Sequence, residues 1–281
     1  HAAGELKLRV WMMIGGQLLD QAIALGLRSG FGDDRLRIGG VKYFADGSLG
    51  ARTAWMLEPY ADGGVGLPVT PMAELASAIE RGAAAGLPVA IHAIGDRAVR
   101  ELLDVFSEVL PRVARSETGH SDRVARSETG HSATSIVNCQ LSIDNSQLTI
   151  GNWQLTIDSS RIPHRIEHVQ HSHPEDLRRL GSLGLVASVQ PIHQVDDMAL
   201  VERAVGARGR WSYAWRTLLE SGAVLALGSD CPVASPNPFW GIHAAVTRQR
   251  RDGAPAGGWH PEERLTLAEA IAGYTLGPAY A

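Results

Sequence analysis

Cysteine is nearly absent from this chain. Cys139 and Cys231 are the two it has, too few for a disulfide framework and without the CxxC spacing of a structural zinc site. No apolar stretch reaches the roughly 18 residues of a membrane span, and the opening residues HAAGELK lack the pattern of a signal peptide. Nor does one sign of charge dominate. The 26 Lys and Arg stand against 30 Asp and Glu, a net charge of −4 with a pI near 6.3, which excludes a global attraction to nucleic acid or to an anionic membrane. Arg248, Arg250 and Arg251 form only a local patch. An initial methionine is missing as well. Residue 1 is His, a strand-like run LRVWMMIGG follows almost at once, and the chain stops at TLGPAYA within a helix pattern, so further sequence is expected at both ends.

What is present is an ordinary globular composition: 281 residues, 44% hydrophobic and 20% charged, enough to bury the core of one large α/β domain. Residues 8–14, 41–45, 87–94, 165–169, 185–189 and 224–227 read as strands. Residues 17–25, 71–85, 96–110, 174–183, 241–250 and 266–274, with segments around Met198 and Trp215, read as helices. Residues 46–70 hold seven Gly or Pro, too many for one helix, and read as an active-site loop. Six strands alternating with helices imply a parallel sheet with right-handed crossovers. The expected fold class is α/β, a (β/α)8 TIM-type barrel that is incomplete here, two strands short of closure.

One region breaks the rhythm. RVARSETGHS occurs twice, at 112–121 and 123–132, and NCQLSID, NSQLTIG and NWQLTID follow over 138–158. The Leu and Ile of these units stand two apart rather than three and four apart, so no coiled-coil seam forms. Short strands with DN and GN turns fit better, as a hairpin-like or disordered surface insertion. The expected organisation is a barrel part over 1–111, the repeat insertion over 112–160 and a second barrel part over 161–281.

Four of the apolar runs carry a metal-competent residue at or just past their C-terminal ends: Lys42 in VKYFADG, His92 in VAIHAIGD, His168 in HRIEHVQ and Asp230 in VLALGSD. In a parallel barrel all strand ends open on one face, so these residues can meet around one ion. For His92 or His168 alone a hydrogen-bonded buried histidine is the commoner explanation. With Asp230, a carboxylate expected at a strand mouth with little solvent, the set favours a metal. Lys42 has three open roles: a surface-reaching lysine, a Schiff-base nucleophile, or a lysine carboxylated into a bridging carbamate. Asp46, Ser48 and Arg52 in ADGSLGAR can bind substrate or simply build a turn. His193 in VQPIHQ can polarise a carbonyl or hydrogen-bond a leaving group. Tyr213 and Arg216 in SYAWR can line a pocket, although aromatic residues at this spacing more often pack in a helix core. His171 and His173 are expected to be solvated at a helix entrance, and Cys231 to be a small buried filler.

In order along the chain, VKYFADGSLGARTAWMLEPY, VAIHAIGDRAV, HRIEHVQ, SVQPIH, YAWRTLLESG, LALGSDCPVASPNP and GIHAAVTRQ resemble the amidohydrolase superfamily, in the type 3 branch that includes N-substituted formamide deformylases. The resemblance covers most of the chain apart from about 112 to 160. It implies a metal-bearing β/α barrel with one or two divalent ions, zinc above all. Lys42, His92, His168 and Asp230 match the family's positions on its fourth, fifth, sixth and eighth strands. It also implies a small-molecule substrate, a linear amide or N-formyl compound, cut at a carbon–nitrogen bond other than a peptide bond. Asp230 would then bind metal and accept a proton, His193 would assist the carbonyl oxygen, and a carboxylated Lys42 would bridge two ions. The family's His-x-His pair and its β-sandwich have no counterpart in this sequence. The alternatives are a catalytically silent barrel fragment or binding module, and a Schiff-base lyase using Lys42. No nucleic-acid or membrane partner is expected, a homodimer is open, and the cytoplasm is the favoured location.

Overall fold

The computed structural model describes residues 4–118, 143–144, 147–150, 153–156 and 163–281. β1 (Val10–Gly15) leads through a 3-10 turn into α1 (Leu19–Ala24), β2 (Leu36–Phe44) through a long loop into α2 (Met72–Ala84), and β3 (Val89–Ala93) into α3 (Asp96–Thr118). β4 (Ile143–Asp144), β5 (Gln147–Ile150) and β6 (Trp153–Thr156) lie in the repeat region. The alternation resumes with β7 (Arg165–His168), α4 (Pro174–Ser182), β8 (Val186–Val189), α5 (Pro191–Val205), α6 (Trp215–Glu220), β9 (Val224–Leu227), α7 (Pro238–Thr247) and α8 (Leu267–Tyr280). The main sheet runs β1-β2-β3-β7-β8-β9, every pair parallel. Among the described residues β1 and β9 do not pair with each other, so this is an open six-stranded α/β sheet with the connectivity of a barrel segment. No described helix is long and apolar enough to cross a membrane.

The two-residue period of the strands divides the sheet's faces. Val41, Ile91, Ile166, Ala187 and Leu225 share the face that packs into the apolar core. On the other face Phe44 stands opposite His92, His92 opposite Glu167 and Glu167 opposite Ser188, with Lys42 two residues before Phe44. Parallel strands set every C-terminal end on one rim, so the groups of chemical interest gather there without being close in sequence.

Three boundaries differ most from the sequence reading. β2 starts at Leu36 rather than near 41, because Gly39 and Gly40, poor strand formers on propensity, are held by close approach. A Cβ on Gly39 would strike the Trp11 ring, and one on Gly40 the Pro88 carbonyl. α3 continues through Pro111 to Thr118, past the expected end near 110. α8 likewise runs on to Tyr280. In the repeat region β4, β5 and β6 form an antiparallel sheet; the expected turns and the remainder of 119–162 lie outside the described residues.

α8 starts on a capping box, with Thr266 accepting from the Glu269 N–H and the Glu269 carboxylate accepting from the Thr266 N–H. It then lies so close along β9 that a Cβ on Gly277 would overlap the Leu225 carbonyl oxygen. Gly277→Ala is expected to cost about 1–3 kcal/mol of stability, read as a lower urea midpoint.

Candidate metal centre

His168 closes β7, and by strict alternation it would fall on the core face, since it pairs with Ala93 rather than with His92. The backbone prevents this. His168 has φ +78° and Val169 φ +45°, left-handed values that non-glycine residues adopt at a cost of roughly 1–3 kcal/mol and that cluster at functional sites. The turn brings the His168 ring against His92, with centroids 4.5 Å apart and planes at 70°. Asp230, after the Gly228-Ser229 turn that follows β9, is also left-handed, with φ +54°. His193 sits in the first turn of α5, which Pro191 opens. One ligand atom from each of His168, His193 and Asp230 lies within 4.8 Å of the other two.

The electrostatics suit ligation. Burial pushes both His92 and His168 down to about 4, so each imidazole is neutral near pH 7 and keeps a lone pair for a cation. The Nε2 of His92 donates to the Gly47 carbonyl at 2.9 Å; a carbonyl only accepts, which leaves Nδ1 as the unprotonated nitrogen. Among the described residues His193 Nε2 is buried without a hydrogen-bond partner, an orphan of the kind that a bound group satisfies. Two imidazoles and a carboxylate form a mixed N/O set compatible with zinc and similar divalent ions, and the residues present fit such an ion.

Lys42 is half-buried on the same face as His92, its Nζ 4.9 Å from the centroid of Phe44. Burial lowers it to about 8, with Glu167 and Asp230 pulling the other way. Glu167 itself is held by Arg165, Nε to Oε1 at 2.6 Å. Burial raises its pKa, but Arg165 and Lys42 outweigh that and leave the carboxyl below its ordinary value. The side of Lys42 facing the site is therefore lined by charge as well as by an aromatic ring.

The other expected site residues make polar contacts of their own, and Asp46 does so beside His92, its Oδ1 3.7 Å from His92 Nε2. Asp46 is 1% exposed and accepts backbone N–H groups from Trp55 (2.8 Å), Ile94 (3.0 Å) and Gly95 (2.8 Å). It stitches the loop after β2 to the turn after β3. Burial pushes its carboxyl up to about 7, against the three donors that favour its charge. Asp46→Ala would orphan all three N–H groups, and a loss of about 3 kcal/mol or more is expected in denaturant unfolding. Ser48 is exposed, its Oγ accepting from the Ala51 N–H. Arg52 turns to Asp62 at 3.0 Å and lies over the Tyr60 ring. Tyr213 is 1% exposed and donates its phenol to Asp197 at 2.5 Å. Arg216 grips the Glu269 carboxylate with two nitrogens and donates to the Arg264 carbonyl. Tyr213 and Arg216 thus tie elements together.

Three further expectations are corrected. Asp230 is exposed rather than desolvated, and Cys231 is exposed rather than a buried filler, because both stand in the exposed turn that follows β9. His171 is 3% exposed rather than solvated. Its Nδ1 meets Ser212 Oγ at 2.7 Å, and burial pushes its pKa down to about 3. Sequence reasoning passed over Gln190, which reaches His168 at 2.8 Å. The available signal was a polar side chain between a strand end and a helix-opening proline, in VQPIH.

Comparison with known proteins agrees with this architecture. The sequence model described as "Amidohydrolase family" matches residues 1–146 and 149–281. Protein LONG AFTER FAR-RED 3 of Arabidopsis thaliana is 34% identical over 252 residues, 88% of this chain and 35% of that protein. Two solved structures, uncharacterized metal-dependent hydrolases from Pyrococcus furiosus and Pyrococcus horikoshii, share 32% and 30% identity at TM-scores of 0.71 and 0.72, each covering 99% of this chain and 47% of the other. The chain thus spans less than half the length of these relatives. With the ordered motifs, the parallel sheet and the match along nearly its whole length, the chain belongs to the amidohydrolase family.

Proposed function

We propose that this chain supplies ligands of a divalent-metal centre that hydrolyses a carbon–nitrogen bond other than a peptide bond, in a linear amide or N-formyl compound. The grouping of His168, His193 and Asp230 within 4.8 Å carries the reading. A bound ion supplies Lewis-acid polarisation of a carbonyl and lowers the pKa of water. The protein's own part is to present the imidazoles of His168 and His193, with His92 edge-on beside His168, and to place Asp230 where solvent reaches it. An exposed carboxylate at the mouth can take a proton from water and pass it to a departing amine. His193 is read here as a member of the ligand group, because its Nε2 has no other partner among the described residues. Lys42, with its pKa lowered to about 8, has neutral amine available to react with carbon dioxide, and its carbamate would extend the ligand set to a second ion.

The test uses the full-length protein, loaded with zinc or cobalt and then stripped with a chelator. Release of amine from N-formyl and linear amides that stops on stripping and returns with metal is expected, with dipeptides left intact. Turnover indifferent to chelators, with borohydride trapping an adduct on Lys42, would overturn the reading in favour of a Schiff-base lyase.

A further inference from the structure

We infer that Gln190 is a positioning residue that fixes the tautomer of His168, holding the proton on Nδ1 and leaving Nε2 bare toward the metal centre. The inference rests on the metal reading above and adds to it a residue with no previous role.

Gln190 lies between β8 and α5, at the N-cap position of α5, and is 5% exposed. Helix N-caps favour Ser, Thr, Asp and Asn, whose short side chains reach back to the first free N–H groups. Gln190 makes no such bond, and its side chain plays no part in starting the helix. Its amide is used across the strand ends instead, with Oε1 2.8 Å from His168 Nδ1 and Nε2 donating to the Ser188 carbonyl at 3.2 Å.

The Ser188 carbonyl decides which way the amide points. Turned over, the glutamine would set its own oxygen against that carbonyl, two acceptors face to face, and offer its NH2 to His168. In the orientation found, only an N–H on Nδ1 can complete the bond to Oε1. In a neutral imidazole one nitrogen donates and the other accepts, so a proton on Nδ1 means a lone pair on Nε2. An isolated neutral imidazole favours the opposite tautomer, with the proton on Nε2, which would block that nitrogen as a ligand. The hydrogen bond from Gln190 therefore selects the ligating form before any ion arrives and fixes the ring's rotation. Partners of this kind change metal affinity by about 10–100-fold when they are removed.

The experiment uses the full chain with 15N-labelled histidine, the His168 signals being assigned by their loss in His168→Gln. Long-range 1H–15N spectra of the metal-free protein read the tautomer directly, and cobalt(II) alone serves as the affinity probe, in competition with a chromophoric chelator. In the wild type Nδ1 is expected to carry the proton. Gln190→Leu should move the population toward Nε2–H and weaken cobalt binding about 10–100-fold, while Gln190→Glu, which keeps an acceptor for Nδ1 although it loses the donation to Ser188, should retain the Nδ1–H tautomer. Gln190→Met provides a second apolar variant should the leucine protein fail to fold. Folded Leu or Met protein with the wild-type tautomer and wild-type affinity would overturn the inference. A tautomer that follows Gln190 in a chain that binds no cobalt would leave the positioning role standing and overturn the metal reading.

Discussion

Asp230→Asn is expected to abolish most activity of the full-length enzyme while leaving the fold intact. Asp230 is exposed and joins His168 and His193 within 4.8 Å, so its removal takes a charge from the ligand group without opening a cavity. Asparagine is the cleaner replacement, because it tolerates the left-handed backbone that Asp230 adopts, φ +54°, and alanine does not. Metal affinity should drop by about a hundredfold or more, and kcat/KM by about 10²–10⁴, the usual worth of a positioned proton acceptor. The unfolding free energy of the metal-free protein in urea should stay within about 0.5 kcal/mol of wild type. A variant that keeps full metal content and activity would remove Asp230 from the site.

The second large effect is acid sensitivity. Burial depresses His92 and His168 to about 4 and His171 to about 3, whereas the unfolded chain takes up these protons near pH 6.5. Between those values the unfolded state binds more protons than the native state, so stability rises with pH through the window and is lost as pH falls. It is complete above about 6.5 and drains away toward 4, by on the order of 2–4 kcal/mol for each imidazole that expresses its full shift. Asp46 works in the opposite direction. Its native pKa is raised to about 7, so it is most favourable to folding when protonated and loses that advantage as pH rises from about 4 to about 7. Three depressed imidazoles outweigh this one carboxyl, and the urea midpoint of the metal-free protein is expected to fall steeply between pH 7 and 5. His171→Asn, which can keep the bond to Ser212, should flatten the slope by about one proton. A midpoint unchanged across this range would mean that the rings are not buried as the structure places them.

The order of elements was legible in the chain because apolar periodicity reports directly on which face a segment buries. β9 falls at Val224–Leu227, the residues its apolar run marks out. β2 was shortened in the sequence reading because its two glycines carry no such signal; they belong to the strand through contacts with Trp11 and Pro88. The site divides along similar lines. His92, His168 and Asp230 each announced themselves as polar groups ending apolar runs, and the structure gathers them on one rim. Asp46, Tyr213 and Arg216 have side chains that suit substrate binding just as well, yet they spend their polar atoms on backbone N–H groups, on Asp197 and on Glu269.

By itself the sequence determined the α/β class, the parallel order and the chemical types available at the strand ends, since these follow from local periodicity and from which residues close each run. Tertiary structure alone decided which of those groups meet. The left-handed turn at His168 re-aims a side chain that alternation assigns to the core, and the α5 start places His193 beside it. The Ser188 carbonyl orients Gln190 toward His168. Each depends on backbone angles and on contacts between residues distant in sequence, which no local pattern encodes.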